Sequence, residues 1–210
     1  MIKILIISDT HHNHKILKNV LSMNTDCDYL IHLGDEPDDM SRHTEYLENK
    51  HFYYVYGLYH SRWSHENAVK QFQIDNIDFC ISHTDACFKM LKSESNPKSK
   101  KTKSQNTESN RLLFYCFGHT HHRHFEQNNN IVYLNPGHLK NENDRDEIAG
   151  YVVIEFERMK KKATKRLKNS ILCDEIKENT LSDKTPFVHV NFFDLYKNLL
   201  NTHKIIYESG

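Results

Sequence analysis

Four times along this chain an apolar run stops abruptly at a short piece rich in aspartate and histidine. Residues 2–8 lead into Asp9-Thr10-His11, residues 28–33 into Gly34-Asp35, residues 77–81 into Ser82-His83, and residues 113–117 into Gly118-His119-Thr120-His121. Runs of this length and β-branched content read as buried strands. Each piece is therefore expected where a strand leaves the edge of a sheet. Together the pieces carry two carboxylates and four imidazoles, a mixture of hard oxygen and borderline nitrogen that binds divalent transition metals. Six ligands are too many for one tetrahedral ion and suit two ions bridged by a carboxylate. The implied chemistry is metal-assisted hydrolysis, of a phosphate ester.

Periodicity supplies the frame. Ile16, Leu17, Val20 and Leu21 share one face of a helix over residues 14–22, and a second, more polar helix is expected over 40–49. With a third strand at 52–56, the opening reads βαβαβ, which predicts parallel strands and right-handed crossovers. The pattern then turns to β: a hairpin of 69–75 with 77–81, and strands at 113–117, 125–127, 131–134 and 151–156. The expected class is α/β (α+β), a four-layer sandwich of two mixed sheets flanked by helices. Near the end, Phe192, Phe193, Leu195, Tyr196, Leu199 and Leu200 have the spacing of an amphipathic helix docked on the domain.

Residues 93–110 contain no aliphatic or aromatic side chain and carry Lys98, Lys100, Lys101 and Lys103. Such a segment cannot bury enough apolar surface to offset its ordering entropy, so a disordered insertion is expected. The domain reading is a core over 1–157 and an extension over 158–210 packed on the same domain. Lys+Arg and Asp+Glu are equal at 28 each, so no global field draws the protein to nucleic acid or anionic membrane. No run is long enough to span a bilayer, and no secretory signal is recognised at the start. The five cysteines are scattered without a CxxC pair, which fits thiols in a reducing cytoplasm.

In order, the pieces resemble the calcineurin-like metallophosphoesterase family, and within it the small single-domain bacterial phosphodiesterases. The resemblance rests on Ser8-Asp9-Thr10-His11, His32-Leu33-Gly34-Asp35, Gly118-His119-Thr120-His121 and Asn135-Pro136-Gly137, and covers residues 1 to about 157. It implies a first metal held by Asp9, His11, Asp35 and His121, and a second that shares Asp35 and adds His83 and His119. Two divalent ions are implied, Mn²⁺ first, with Fe, Zn²⁺, Ni²⁺ or Mg²⁺ as other choices. His119 and His121, two apart on an extended segment, are expected to reach neighbouring metals. His32 is expected to support the sheet or a ligand. His12, Arg62 and His138 are the candidates to face substrate.

One piece departs from the family. Where its third strand ends in Gly-Asn-His/Cys-Asp, this chain has Gly57-Leu58-Tyr59-His60. Leu58 offers no ligand atom, and His60 is the candidate to fill the role, carried with Asp35 as catalytic. Six of the seven family positions keep ligand-capable residues, which favours an enzyme, and a phosphodiesterase acting on a small or nucleotide-like diester is expected. A catalytically weakened scaffold for protein interaction and a phosphomonoesterase are the alternatives. A homo-oligomer remains open.

Overall fold

The computed structural model describes residues 1–85, 111–158 and 186–207. In chain order its elements begin with β1 (Ile2–Ile7), α1 (His14–Met23), β2 (Tyr29–His32) and β3 (His51–Tyr54). Then come β4 (Val69–Ile74), β5 (Ile77–Ser82), β6 (Leu113–Cys116), β7 (Arg123–Asn128) and β8 (Ile131–Pro136). The last are β9 (Asn143–Asp144), β10 (Glu147–Ile148), β11 (Gly150–Phe156), β12 (Phe187–Asp194) and β13 (Leu199–Ile206).

The alternation of β1 defines the layers. Ile2, Ile4 and Ile6 enter one core, while Leu5 and Ile7 enter a second core on the opposite face. The first sheet has the order β13-β12-β11-β1-β2-β3, and the second β4-β5-β6-β8-β7. Both are mixed. β1 pairs parallel with β2 and antiparallel with β11, and β6 pairs parallel with β5 and β8, whereas β4–β5 and β7–β8 are antiparallel. The core between the sheets is built from side chains such as Ile4, Ile31, Phe79, Phe114, Val152 and Phe156. Each such fully buried side chain contributes about 1.5–3 kcal/mol, so this layer holds the two sheets, and whatever lies at their ends, in fixed register.

The second core lies between the first sheet and α1, through Ile16, Leu17, Val20 and Leu21. Asn13 caps this helix, its side-chain oxygen accepting from the Ile16 amide at 3.1 Å. The helix expected over 40–49 is absent. Two short 3₁₀ helices, Pro37–Arg42 and Thr44–Tyr46, stand there instead, with Met40 as their buried anchor. Ser41, His43, Thr44 and Asn49 are poor helix formers, and too few apolar residues recur to stabilise a longer helix.

The C-terminal amphipathic helix is also corrected. Its residues form the β12–β13 hairpin, which extends the first sheet beyond β11. Val188, Val190 and Phe192 alternate inward along β12, a period of two that outweighs the helical spacing further on. Asp194 then turns the chain, accepting from the amides of Tyr196 and Asn198, each at 2.8 Å. The lysine-rich insertion expected over 93–110 lies outside the described residues.

Candidate metal centre

The strand ends meet at the seam between the two sheets, joined by backbone bonds. In the first sheet the Asp9 amide donates to the Gly34 carbonyl at 3.0 Å, and in the second the Gly118 amide donates to the His83 carbonyl at 3.0 Å. Two bonds cross between the sheets: the His119 amide donates to Asp9 Oδ2 at 3.0 Å, and His83 Nδ1 donates to the Leu33 carbonyl at 2.8 Å.

These links gather the side chains into two groups, Asp9-His11-Asp35-His121 and Asp35-His83-His119, whose ligand atoms lie within 4.8 Å of one another in each group. His121 Nε2 lies 3.3 Å from Asp9 Oδ1 and 3.3 Å from His11 Nε2. Asp35 spans both groups, with Oδ2 3.4 Å from His11 Nε2 and Oδ1 3.2 Å from His83 Nε2.

Five of these residues occupy the left-handed region: Asp9 (φ 54°), His11 (φ 43°), Asp35 (φ 51°), His119 (φ 67°) and His121 (φ 66°). That conformation costs a non-glycine residue roughly 1–2 kcal/mol, and such strain concentrates at sites the surrounding fold over-determines. The segment carrying His119 and His121 is thus a tight turn rather than extended chain. Asn135 braces it through its side-chain amide, which donates to the Gly118 carbonyl at 2.9 Å and to Thr120 Oγ1 at 3.1 Å. The two imidazoles are consequently sent to different groups. Two glycines make room. A Cβ on Gly57 would lie 1.8 Å from Asp35 Oδ1, and one on Gly118 would lie 2.0 Å from Ser8 Oγ.

Tautomers follow from the partners. A carbonyl only accepts, so His83 Nδ1 carries the proton and Nε2 is left toward Asp35. The same argument applies to His121, whose Nδ1 meets Asp144 Oδ2 at 2.5 Å. Burial pushes the Asp35 carboxyl up, but His83, His11 and His119 outweigh it and hold Asp35 at about 2. Burial pushes His83 and His121 down; contact with Asp35 raises the first, and Asp9 and Asp144 raise the second, leaving both above the ordinary histidine value. Burial holds His11 below that value and His32 at about 4. Asp9 Oδ1 and His83 Nε2 are buried without a hydrogen bond. Orphaned lone pairs on a carboxylate and an imidazole, aimed into one cluster, fit divalent cations in type and direction.

His60 is not brought into this cluster. Its ring stacks on Tyr56 at 4.4 Å and its Nε2 lies 3.4 Å from Asp38. Leu58 and Tyr59 are exposed, Tyr59 to 94%. Arg62 reaches Asp38 at 3.5 Å and the Tyr56 hydroxyl at 3.4 Å. His12 is 3.0 Å from Asp39 through Nδ1, and this carboxylate raises its pKa. His138 is fully buried beside His121, ring centroids 5.3 Å apart, and donates from Nε2 to the Glu147 carbonyl at 3.0 Å. It therefore packs against His121 instead of facing solvent.

Two carboxylates of the site escape the sequence reading. Asp144 holds His121, as above. Asp39, buried, accepts from Thr10 Oγ1 at 2.7 Å and from the His12 amide at 2.9 Å, fixing the turn that carries His11. Both lie in polar stretches without periodicity, where only tertiary contact distinguishes them.

The family model described as Calcineurin-like phosphoesterase superfamily domain matches residues 2–159. No curated protein matches the chain. Among solved structures, a conserved predicted phosphoesterase from Streptococcus pneumoniae TIGR4 is 15% identical with a TM-score of 0.59, over 97% of this chain and 97% of that one. The phosphoesterase Yfce from E. coli is 15% identical with a TM-score of 0.56, over 96% and 98%. Vacuolar Protein Sorting 29 from Cryptosporidium parvum is 12% identical with a TM-score of 0.59, over 98% and 98%.

Proposed function

The chain belongs to the calcineurin-like phosphoesterase superfamily, and on that premise we propose that it is a metal-dependent phosphoesterase hydrolysing phosphodiesters. The observation carrying this reading is the convergence of Asp9, His11, Asp35, His83, His119 and His121 into two groups that share the Asp35 carboxylate. Asp9, His11, Asp35 and His121 would hold one cation, and Asp35, His83 and His119 the other. Divalent cations supply Lewis acidity toward a phosphoryl oxygen and lower the pKa of water.

The chain's own residues do the rest. Asp35 presents one oxygen to each group and stays ionised at neutral pH. Leu33 and Asp144 fix the imidazole tautomers of His83 and His121. The left-handed turns aim the ligands before any ion arrives, so little reorganisation is needed on binding. The mixed O/N donor set suits Mn²⁺, Fe or Zn²⁺, with Mn²⁺ proposed. The proposed substrate is a small, nucleotide-like diester, acted on in the cytoplasm, where the buried Cys27 and Cys116 thiols suit a reducing environment. No helix among the described residues is long and apolar enough to cross a membrane.

A second reading, a scaffold for protein partners, is favoured by Leu58. It gives the second group no ligand atom and lies exposed beside Tyr59. The two readings part on one assay: metal-stripped protein given Mn²⁺, with bis-p-nitrophenyl phosphate beside the p-nitrophenyl monoester. Mn²⁺-dependent diester cleavage, abolished in His121→Ala, is the expected result. Preference for the monoester would overturn the diester assignment, and no turnover on either ester despite bound metal would favour the scaffold.

A further inference from the structure

The two groups of ligands are backed differently. Behind His83 stands a neutral carbonyl, Leu33 O, at 2.8 Å. Behind His121 stands a carboxylate, Asp144 Oδ2, at 2.5 Å. Asp144 arrives on the small β9–β10 hairpin, whose two-residue turn, Arg145 (φ 52°) and Asp146 (φ 62°), has the positive φ pair of a type I′ turn. The register Glu147↔Asp144 leaves no slack at the turn.

The hairpin grips the Gly118–His121 segment at several points. Arg145 Nη1 donates to the His119 carbonyl at 3.2 Å and the Thr120 carbonyl at 3.3 Å. The Glu147 carbonyl accepts from His138, whose ring lies against His121. Asp144 is itself anchored by Lys140 Nζ, 3.1 Å from its Oδ1. A carboxylate held this firmly selects one tautomer and one ring direction for His121, leaving the Nε2 lone pair toward Asp9 and His11. It also raises the electron density that His121 can donate, as acidic groups behind metal-binding histidines do.

We propose that Asp144 is the positioning residue of the first cation site, acting through His121 Nδ1. The inference rests on the reading of Asp9, His11, Asp35 and His121 as metal ligands. It makes this site the tighter of the two, because His83 and His119 lack an equivalent charged support among the described residues.

The test uses the full chain, metal-free, titrated with Co²⁺ and followed by its d–d absorption. Wild-type protein, Asp144→Ala, Asp144→Asn and Lys140→Ala are compared, with thermal melting of each without metal. Wild type is expected to fill in two steps. Asp144→Ala should weaken the tight step by about 10–100-fold and leave the weak step in place. Asp144→Asn should lose less, because its amide oxygen still accepts from Nδ1, and this isosteric variant carries the test if the alanine protein melts early. Imidazole ¹⁵N spectra of the metal-free protein should show a protonated Nδ1 on His121 in wild type and a tautomer mixture in Asp144→Ala. A tight step unchanged in both Asp144 variants, or equal losses at both steps, would overturn the assignment. Wild-type protein that binds no Co²⁺ would instead overturn the metal reading beneath it.

Discussion

A single methyl group on Gly57, outside both proposed ligand groups, should disable both proposed cation sites at once. Gly57→Ala places a carbon 1.8 Å from Asp35 Oδ1 and 3.0 Å from its Cγ and amide nitrogen. Ordinary contact between such atoms is above 3 Å, so the Asp35 oxygen must retreat by more than about 1 Å. Metal–ligand distances tolerate only about 0.2 Å. Asp35 serves both groups, and its displacement therefore removes a ligand from each. We expect each Mn²⁺ affinity to fall at least about tenfold, taking as the floor the loss caused by merely disturbing a supporting partner. The fold should lose about 1–3 kcal/mol, the usual cost of overpacking. Calorimetric Mn²⁺ titration with a metal-free thermal melt measures both quantities. His121→Ala is the contrast, because it strips only the first group. Wild-type stoichiometry and affinity in Gly57→Ala would refute the placement of Asp35 between the two sites.

Three further outcomes are expected. Leu58→Asn should add an oxygen donor beside Gly57 and raise affinity at the weaker site, read as a shift in the second step of a Mn²⁺ titration; no shift would mean residue 58 does not face that site. Burial holds His32 at about 4, below its ordinary 6.5, so the unfolded chain takes up a proton the native one refuses. Stability should then fall as pH drops from about 6.5 toward about 4, by on the order of 3 kcal/mol, and His32→Asn should flatten that part of a pH series of urea melts. Asp39→Ala removes a buried acceptor from Thr10 and His12 and should cost about 2–3 kcal/mol in the same melts, a loss Asp39→Asn should only partly restore.

The strands, and the residues that converge at their ends, are legible in the sequence for one physical reason. A strand covered on both faces is apolar over most of its length, with exceptions such as Lys3, His32 and Asp78, so the return to polar residues marks where it ends, and Asp9, Asp35, His83 and His119 all stand just beyond such ends. The C-terminal hairpin carries a misleading signal, because Phe192, Leu195, Tyr196, Leu199 and Leu200 satisfy helical spacing by straddling a turn. The shorter alternation of Val188, Val190 and Phe192 is what the neighbouring β11 selects. The polar segment 40–49 could not signal its 3₁₀ geometry, which depends on Met40 entering a core formed by α1 and the sheet. His60 offers a ligand-type nitrogen two residues beyond Leu58, but Tyr56 and Asp38 occupy its ring, a contact that sequence spacing does not signal. Asp144 had no signal because its partner stands 23 residues away and only a two-strand hairpin brings them together.

The order in which the chain is made bears on when the site can exist. The first sheet is interrupted: β1 to β3 precede the whole second sheet, and β11 to β13 follow it. Asp9 and His119 are separated by 110 residues of chain, and β1 lacks its antiparallel neighbour until β11 has been synthesised. Closures over such distances come late in folding and are slow. A nascent polypeptide ending before Gly118 would carry Asp9, His11, Asp35 and His83 but neither His119 nor His121, and it would lack β7 and β8 of the second sheet. Ion capture at the proposed site would then report that assembly has finished rather than seed it, and a captured ion would have to be released before the two sheets could part.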